Sequence, residues 1–217
     1  MGVIVRPLFG DDEGSFGVPE TSLQSGTRRL YTWAMPSPFT HRPFTHRIAT
    51  RADLPALTAL MDAAIGELQK GFLSEAQITA SRAIMGLDTQ LIDDATYFMV
   101  EEGSALAGCG GWSRRNTLYG GDHTAGRDAA LLDPAVDAAR VRAMYTNPAF
   151  ARRGVGRLIL SLCEAAAAAE GFRRVELAGT MSGEPLYRSC GYQPIERFED
   201  ERGGAPVPLV RMGKAIG

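Results

Sequence analysis

The residues best suited to chemistry form one short stretch, residues 152–157, which reads Arg-Arg-Gly-Val-Gly-Arg. It leads into a predicted helix, because apolar side chains recur at three- and four-residue intervals from Val155 to Ala166. The N-terminus of a helix carries backbone N–H groups without internal partners and the positive end of the helix dipole. Glycines let an anion approach those groups, and arginines add charge-assisted contacts. The stretch therefore predicts a phosphate-binding turn.

The glycine spacing of this turn excludes two familiar phosphate motifs. No Gly-Lys-Ser/Thr follows, as a P-loop would require, and the third glycine of the dinucleotide-binding fingerprint is absent. Such a short pattern also recurs by chance, so an ordinary loop with two turn glycines and solvated arginines is the alternative. The neighbouring elements favour the phosphate-binding interpretation.

These neighbouring elements form a strand–turn–helix–strand unit. The sequence predicts a strand over residues 141–146, a helix stop at Gly171 and a second strand over residues 174–178. A Tyr-x-x-x-Gly-Tyr pattern follows at residues 187–192. The whole arrangement resembles the acyl-CoA-binding half of the GNAT family of N-acetyltransferases, and the resemblance extends over nearly all of residues 46–215.

The resemblance implies a mixed α/β (α+β) fold: a central, mostly antiparallel sheet of about seven strands with a splayed parallel pair, and about four helices. It also implies acetyl-CoA as the co-substrate, with no metal. In the family, the turn's amides hold the pyrophosphate of coenzyme A, and the preceding strand pairs with the pantetheine arm. The positions that correspond to these contacts are Met144, Tyr145, Thr146, Arg152, Arg153, Gly154, Val155, Gly156, Arg157 and Thr180. Two positions depart from the family pattern: Ala151 replaces a glutamine or arginine, and Thr180 replaces an asparagine.

Tyr187 occupies the position of the family's general acid, a tyrosine that protonates the leaving thiolate. A phenol suits this role because it keeps its proton at neutral pH and can share it with a sulfur leaving group. The alternative is a structural residue that packs the last helix on the sheet, a role that Leu186 can fill alone. A strand backbone N–H near Tyr145 would polarise the thioester carbonyl. The group that takes the proton from the amine could be a carboxylate, a histidine or a water chain. A water-mediated base is the simplest prediction, because it needs no dedicated side chain.

The acceptor side is predicted from a hairpin over residues 96–113 and the polar insertion at residues 116–137. Trp112, Arg114 and Arg115 end the hairpin and are assigned to the acceptor, since the resembling fold places this strand end at the acceptor pocket. Arg114, Arg115 and Arg127 suggest an acceptor with a carboxylate or phosphate, although loop arginines are also commonly solvated. A loop as long as the insertion is usually functional, whereas a lone histidine such as His123 is more often a solvated residue than a base.

The first residues of the chain differ from the rest in composition. Residues 1–44 contain clustered glycines, prolines and serines that break any periodicity, which predicts an irregular N-terminal extension. The N-acetyltransferase-like domain is predicted over residues 45–217. Met35 is an alternative start of the native chain.

Composition limits the other functional classes. The 217 residues carry a net charge of −2, which gives no attraction to nucleic acid or to an anionic membrane surface. No apolar run approaches the length of a membrane span. The three cysteines lack metal-ligand spacing, which indicates reduced thiols in a cytoplasmic protein.

The sequence therefore predicts a cytoplasmic N-acetyltransferase that moves an acetyl group from acetyl-CoA directly to a primary amine of a small molecule. A non-catalytic acyl-CoA-binding or regulatory module of the same fold is the second hypothesis, which the missing base favours. Nucleic-acid binding is disfavoured, because arginines cluster only at the phosphate-binding turn. A monomer and a homodimer are both compatible with the sequence.

Overall fold

A seven-stranded sheet runs through residues 44–217, the part of the chain that this computed structural model describes. The strands are β1 (Thr45–Ile48), β2 (Tyr97–Glu102), β3 (Ala105–Ser113), β4 (Ala139–Thr146), β5 (Arg174–Thr180), β6 (Gln193–Asp200) and β7 (Val207–Ala215). The helices are α1 (Leu54–Leu68), α2 (Glu75–Ser81), α3 (Thr89–Asp93), α4 (Val155–Ala169) and α5 (Glu184–Ser189). The sheet order is β1-β2-β3-β4-β5-β7-β6, and β4 and β5 form its parallel pair. This topology confirms the predicted fold class.

Local sequence signals set the helix starts. Ser74 caps α2, because its Oγ accepts the Gln77 backbone N–H at 3.3 Å while the Gln77 side chain accepts the Ser74 N–H at 3.0 Å. Asp53 likewise accepts the Thr50 N–H at 2.8 Å, ahead of the turn that leads into α1. Helix α4 starts after Gly154, whose φ of 89° lies in the left-handed region that glycine adopts without strain.

Each face of the sheet carries a hydrophobic core. Helix α4 packs on one face, where Ile159 and Cys163 are fully buried, and α1 packs on the other face through Leu57 and Ile65. Because these apolar stripes face the sheet, the two helices are fixed on either side of its centre. The active-site candidates of β4 therefore lie between two packed layers.

Glycines in β3 let α4 approach the sheet closely. A Cβ at Gly108 would lie 2.5 Å from Val155 Cγ1, and a Cβ at Gly110 would lie 2.6 Å from Ile159 Cγ2. Both distances are shorter than two carbon atoms tolerate, so larger residues would displace the helix. The close approach at these two glycines brings the N-terminus of α4 next to β4.

Strands β4 and β5 pair at only two positions before they diverge. The pairs are Ala139 with Val175 and Arg140 with Glu176. A bulge in β4 shifts its register with β3 and puts Ala143 at a φ of 50°. A gap therefore opens between residues 141–146 of β4 and residues 177–180 of β5.

The described part of the chain has one α-helix more than the sequence predicts. The described residues hold five α-helices rather than about four, because the short α3 has too few turns to give a helical pattern. The predicted extension over residues 1–44 falls almost wholly outside the described residues. Within residues 44–217, the helices are too short or too polar to cross a membrane.

Gly108→Ala should lower the free energy of unfolding by about 1–3 kcal/mol, because its methyl group would overlap Val155 and push α4 away. Gly66→Ala is the matched control, since a Cβ at this position in the last turn of α1 meets its nearest neighbour at 3.8 Å. That change should stabilise the protein by about 0.5–1 kcal/mol. Urea denaturation measures both, and a stable Gly108→Ala protein would contradict the tight contact.

Candidate active site

A cavity of about 100 Å³ fills the gap between β4 and β5. Four of the predicted site residues line it: Met144, Tyr145, Thr180 and Tyr187. Two of them come from the bulged half of β4, one ends β5 and one lies in α5. The structure thus brings together residues that lie far apart in the sequence.

The backbone of β4 presents N–H groups to this gap. Asn147, which directly follows β4, donates its N–H to the carbonyl oxygen of Ala107 in β3 at 2.9 Å. Because backbone N–H groups alternate direction along a strand, the Tyr145 N–H also faces β3, whereas those of Met144 and Thr146 face the gap. The amides available to a ligand are therefore on either side of Tyr145, and the N–H predicted near Tyr145 belongs to its neighbours.

The N-terminus of α4 carries excess positive charge beside the end of β4. Its first turn contains no acidic residue, and the side chains of Arg152 and Arg157 are exposed. Cations oppose the dipole at this end of a helix, so a bound anion would relieve their repulsion. The first N–H groups of the helix also lack intrahelical partners. This turn has the charge and the donors of a phosphate site.

Arg153 differs from the other two arginines of the turn. Its guanidinium pairs with Glu102 at 2.5 Å and lies 5.0 Å from the ring centroid of Phe150. The side chain therefore ties the turn to the hairpin of β2 and β3. The contribution of Arg153 to the predicted phosphate site is thus limited to its backbone.

Tyr187 lines the cavity, and among residues 44–217 its hydroxyl bonds to no other group. Its ring lies against the backbone of Gly179 and Gly183, where an added Cβ would come within 2.7 Å and 2.9 Å of the ring. Burial raises the pKa of Tyr187 to about 12, and nearby thiols add to the rise. The phenol therefore stays protonated at neutral pH, as a general acid requires.

Thr180 has a structural role in addition to lining the cavity. Its Oγ1 accepts the Gly183 N–H at 3.2 Å and lies 3.1 Å from Ser182 Oγ. These contacts fix the turn that leads from β5 into α5. A contact of this hydroxyl with pantetheine stays a prediction.

Trp112, Arg114 and Arg115 lie away from the cavity. Trp112 is 2% exposed within the hydrophobic core, Arg114 pairs with Glu170 at 2.9 Å, and Arg115 pairs with Asp94 at 2.7 Å. Strand β3 is antiparallel to β4, so its last residues meet the start of β4, opposite the end where the gap opens. The structure does not support the assignment of these three residues to the acceptor.

The insertion at residues 116–137 lies at the cavity instead. Leu118, Tyr119 and Gly120 line it. The Tyr119 hydroxyl donates to Asp200 Oδ2 at 2.8 Å, and Arg202 pairs with the same carboxylate. These bonds hold the insertion against the hairpin of β6 and β7. The side chains of Leu118 and Tyr119 thus form part of the cavity wall. The sequence predicts a functional insertion but not which of its residues line the cavity.

A buried ion network joins the insertion to β4. Arg142 of β4 lies 2.7 Å from Asp88, and Arg127 of the insertion lies 2.6 Å from the same carboxylate. Burial raises the pKa of the Asp88 carboxyl, and the two guanidinium groups counter part of that rise. Arg142 also donates to the Gly120 carbonyl oxygen at 2.7 Å. The sequence signal for this network is an arginine within an otherwise apolar stretch of strand.

Candidate bases are absent from the cavity wall: no carboxylate or imidazole of residues 44–217 lines it. Glu176 forms ion pairs with two arginines, at 2.5 Å and 2.6 Å. His123 Nε2 lies 2.9 Å from the Arg82 carbonyl oxygen, which only accepts, so Nε2 carries the proton of this hydrogen bond. His123 lines a second cavity of about 190 Å³, which shares Met85 and Gly86 with the first.

The fold agrees with comparisons to known proteins. The model of the acetyltransferase (GNAT) family matches residues 57–192, more than half of the chain. This chain therefore belongs to the GNAT family of acetyltransferases and is an acyltransferase enzyme by descent. A curated relative, the uncharacterized N-acetyltransferase YsnE of Bacillus subtilis (strain 168), is 28% identical over 121 residues, which cover 54% of this chain and 68% of that protein.

Two solved structures share the fold. A GCN5-related N-acetyltransferase from Rhodopseudomonas palustris has a TM-score of 0.59 and 17% identity, with 79% of this chain and 95% of that chain covered. The yncA protein of Salmonella typhimurium, solved with its cofactor acetyl-CoA, has a TM-score of 0.53 and 17% identity, with coverages of 81% and 95%. At such low identity, the likeness supports the fold and leaves the acceptor to be argued from this chain's own residues.

Asp88→Asn should lower the free energy of unfolding by about 3–5 kcal/mol, because Arg142 would stay buried without a counter-charge. Asp122→Asn is the matched control at the solvent end of the same network, where the Asp122 side chain is 43% exposed and pairs with Arg127 at 3.0 Å. It should cost no more than about 1 kcal/mol. Urea denaturation measures both variants, and equally small losses would show that Arg142 does not depend on Asp88.

Proposed function

We propose that this protein transfers the acetyl group of acetyl-CoA directly to the primary amine of a small molecule. Membership in the GNAT family supports acetyl transfer, and a structural neighbour was solved with acetyl-CoA. The observation that carries the proposal is the unpaired edge of β4, which leads from the cavity toward a positively charged helix N-terminus. The domain that performs the reaction spans residues 45–217.

The shape of the co-substrate suits this edge. An extended pantetheine arm can add to β4 as a further strand, through the N–H groups of Met144 and Thr146. The pyrophosphate would then meet the first amides of α4, flanked by Arg152 and Arg157. A Cβ at Gly154 would meet no atom within 4 Å, so space for an anion exists beside this backbone.

Acetyl transfer needs a polarised carbonyl, a proton donor and a proton acceptor. The amine nitrogen bonds to the thioester carbonyl carbon, and the C–S bond breaks as the acetyl group moves to nitrogen. The gap-facing N–H groups of β4 would stabilise the negative charge on the carbonyl oxygen. Tyr187 would give its proton to the leaving sulfur and regain one from solvent. The proton lost by the amine would pass to water, because the described cavity wall offers no carboxylate or imidazole.

A second candidate function is a non-catalytic acyl-CoA-binding module. The same lack of an acidic or histidine side chain on the cavity wall favours it. The two functions differ in one measurement, the release of free thiol from acetyl-CoA in the presence of amines. A protein that binds acetyl-CoA tightly but releases no thiol with any amine would favour the binding module.

Gly154→Glu should weaken acetyl-CoA binding strongly, because its carboxylate would stand beside the proposed pyrophosphate position. Gly154→Gln is the matched control, since it has the same size and the same strain at a φ of 89° but no charge. Isothermal titration calorimetry should give a Kd for the Glu variant that is weaker than that of the Gln variant by about tenfold or more, equivalent to about 1.4 kcal/mol. Equal affinities would contradict the phosphate site.

Tyr187→Phe should lower kcat by about 10²–10⁴-fold with little change in acetyl-CoA affinity, because only proton donation is lost. Tyr192→Phe is the control: its ring packs 6.1 Å from that of Tyr187 but does not line the cavity, so kcat should be nearly unchanged. Thiol release measures both.

The pH profile adds a separate check on the same residue. The protonated phenol is the active form, and its pKa is raised to about 12. The rate should therefore rise as the amine deprotonates and should not decline on the alkaline side before about pH 10. Full activity of Tyr187→Phe would rule out Tyr187 as the acid.

A further inference from the structure

A large part of the cavity wall consists of apolar side chains. Six residues that form it are Ile84, Met85, Leu118, Val141, Leu177 and Leu209. They come from the segment after α2, the insertion, β4, β5 and β7, so the apolar character is not the property of one element. Apolar walls of this kind bind ligands through the hydrophobic part of their surface.

The one charged residue of the described wall, Arg142, is already neutralised. Its guanidinium lies 2.7 Å from the Asp88 carboxylate and donates to the Gly120 carbonyl oxygen at 2.7 Å. The Arg142 Nε has no hydrogen-bond partner among the described residues, but it is buried and offers nothing to a ligand in the cavity. Arg127, which the sequence suggests as an anion contact, is also paired with Asp88, at 2.6 Å.

Apart from Tyr187, the tyrosines of the wall already use their hydroxyls in hydrogen bonds within the protein. The Tyr145 hydroxyl accepts the Gly86 N–H at 2.8 Å, and the Tyr119 hydroxyl donates to Asp200 at 2.8 Å. The polar groups left for a ligand lie along the gap, at Tyr187 and at the unpaired backbone edges of β4 and β5. An acceptor thus finds polar contacts for its amine, but the described wall offers no free charged side chain for a second charged group.

We infer that the acceptor is an amine with an apolar body that carries no carboxylate, phosphate or second ammonium group, an inference that rests on the proposed function. An acceptor carboxylate would lose its hydration without meeting a free cation, and a second ammonium would meet no carboxylate. Burial of a charged group without a partner is far more costly than burial of a neutral polar group, so a charged acceptor body should be rejected strongly. The apolar body would instead lie against the six wall residues.

The test compares amines that differ by one charged group. The full chain is assayed for thiol release from acetyl-CoA with 2-phenylethylamine against phenylalanine, and with hexylamine against 1,6-diaminohexane. Each uncharged-body amine should have a kcat/KM at least about 100-fold above that of its charged partner. Comparable or higher values for phenylalanine or the diamine would overturn the inference while leaving acetyl transfer in place.

A cation placed on the wall should reverse one of these preferences. Leu118→Arg puts a guanidinium at the cavity from a half-buried position of the insertion. It should raise kcat/KM for phenylalanine relative to 2-phenylethylamine by about tenfold or more. Leu131→Arg is the matched control, because Leu131 belongs to the same insertion, is 68% exposed and does not line the cavity. It should keep the parent's preference. An unchanged ratio in Leu118→Arg would overturn the assignment of this wall to the acceptor.

Calorimetry and thiol release together separate failure of this inference from failure of the proposed function. Transfer to phenylalanine or the diamine at a comparable or higher kcat/KM overturns the inference alone, whereas acetyl-CoA binding with no transfer to any of the four amines favours the non-catalytic module and overturns both. Absence of acetyl-CoA binding in a folded protein overturns the proposed function and, with it, the inference.

Discussion

The incomplete pairing of β4 with β5 is the constraint on which the rest of this structure depends. In a fully paired sheet the backbone groups of both strands would satisfy each other, and buried groups without partners are costly. Here the pairing stops after Arg140 and Glu176, and the bulge at Ala143 directs β4 away from its neighbour. Strand β7 satisfies the other edge of β5, so the gap does not destabilise the whole sheet. An extended co-substrate can thus complete a sheet that the chain itself leaves open.

Those features that depend on short-range chemistry could be predicted from the sequence. The capping box of Ser74 and Gln77, the start of α4 at Gly154 and the positive turn around it are set by residues a few positions apart. Tyr187 is singled out by a Tyr-x-x-x-Gly-Tyr pattern that resembles the GNAT family, and the structure puts it in the same cavity as Met144. Local rules suffice where the relevant partners are near in the chain.

The acceptor side could not be predicted, because its properties depend on contacts between distant segments. Arginine side chains read alike in a sequence, yet Arg114, Arg115 and Arg127 each have a carboxylate partner that lies 21 or more positions away. The direction of β3 within the sheet decides that Trp112 lies at the closed end of the β4–β5 pair. The charge available to a ligand is what remains after these internal pairs form, and that remainder is a property of the fold.

The bulge in β4 has one more consequence, for the behaviour of the protein in a crowded solution. An unpaired strand edge invites strands from other molecules and can seed aggregation. A second polypeptide would need several residues in continuous register, which the displaced Ala143 interrupts, while α4 and the insertion stand over the two faces of the edge. The distortion that leaves room for a slender ligand thus protects the molecule from association with its own copies through the same edge.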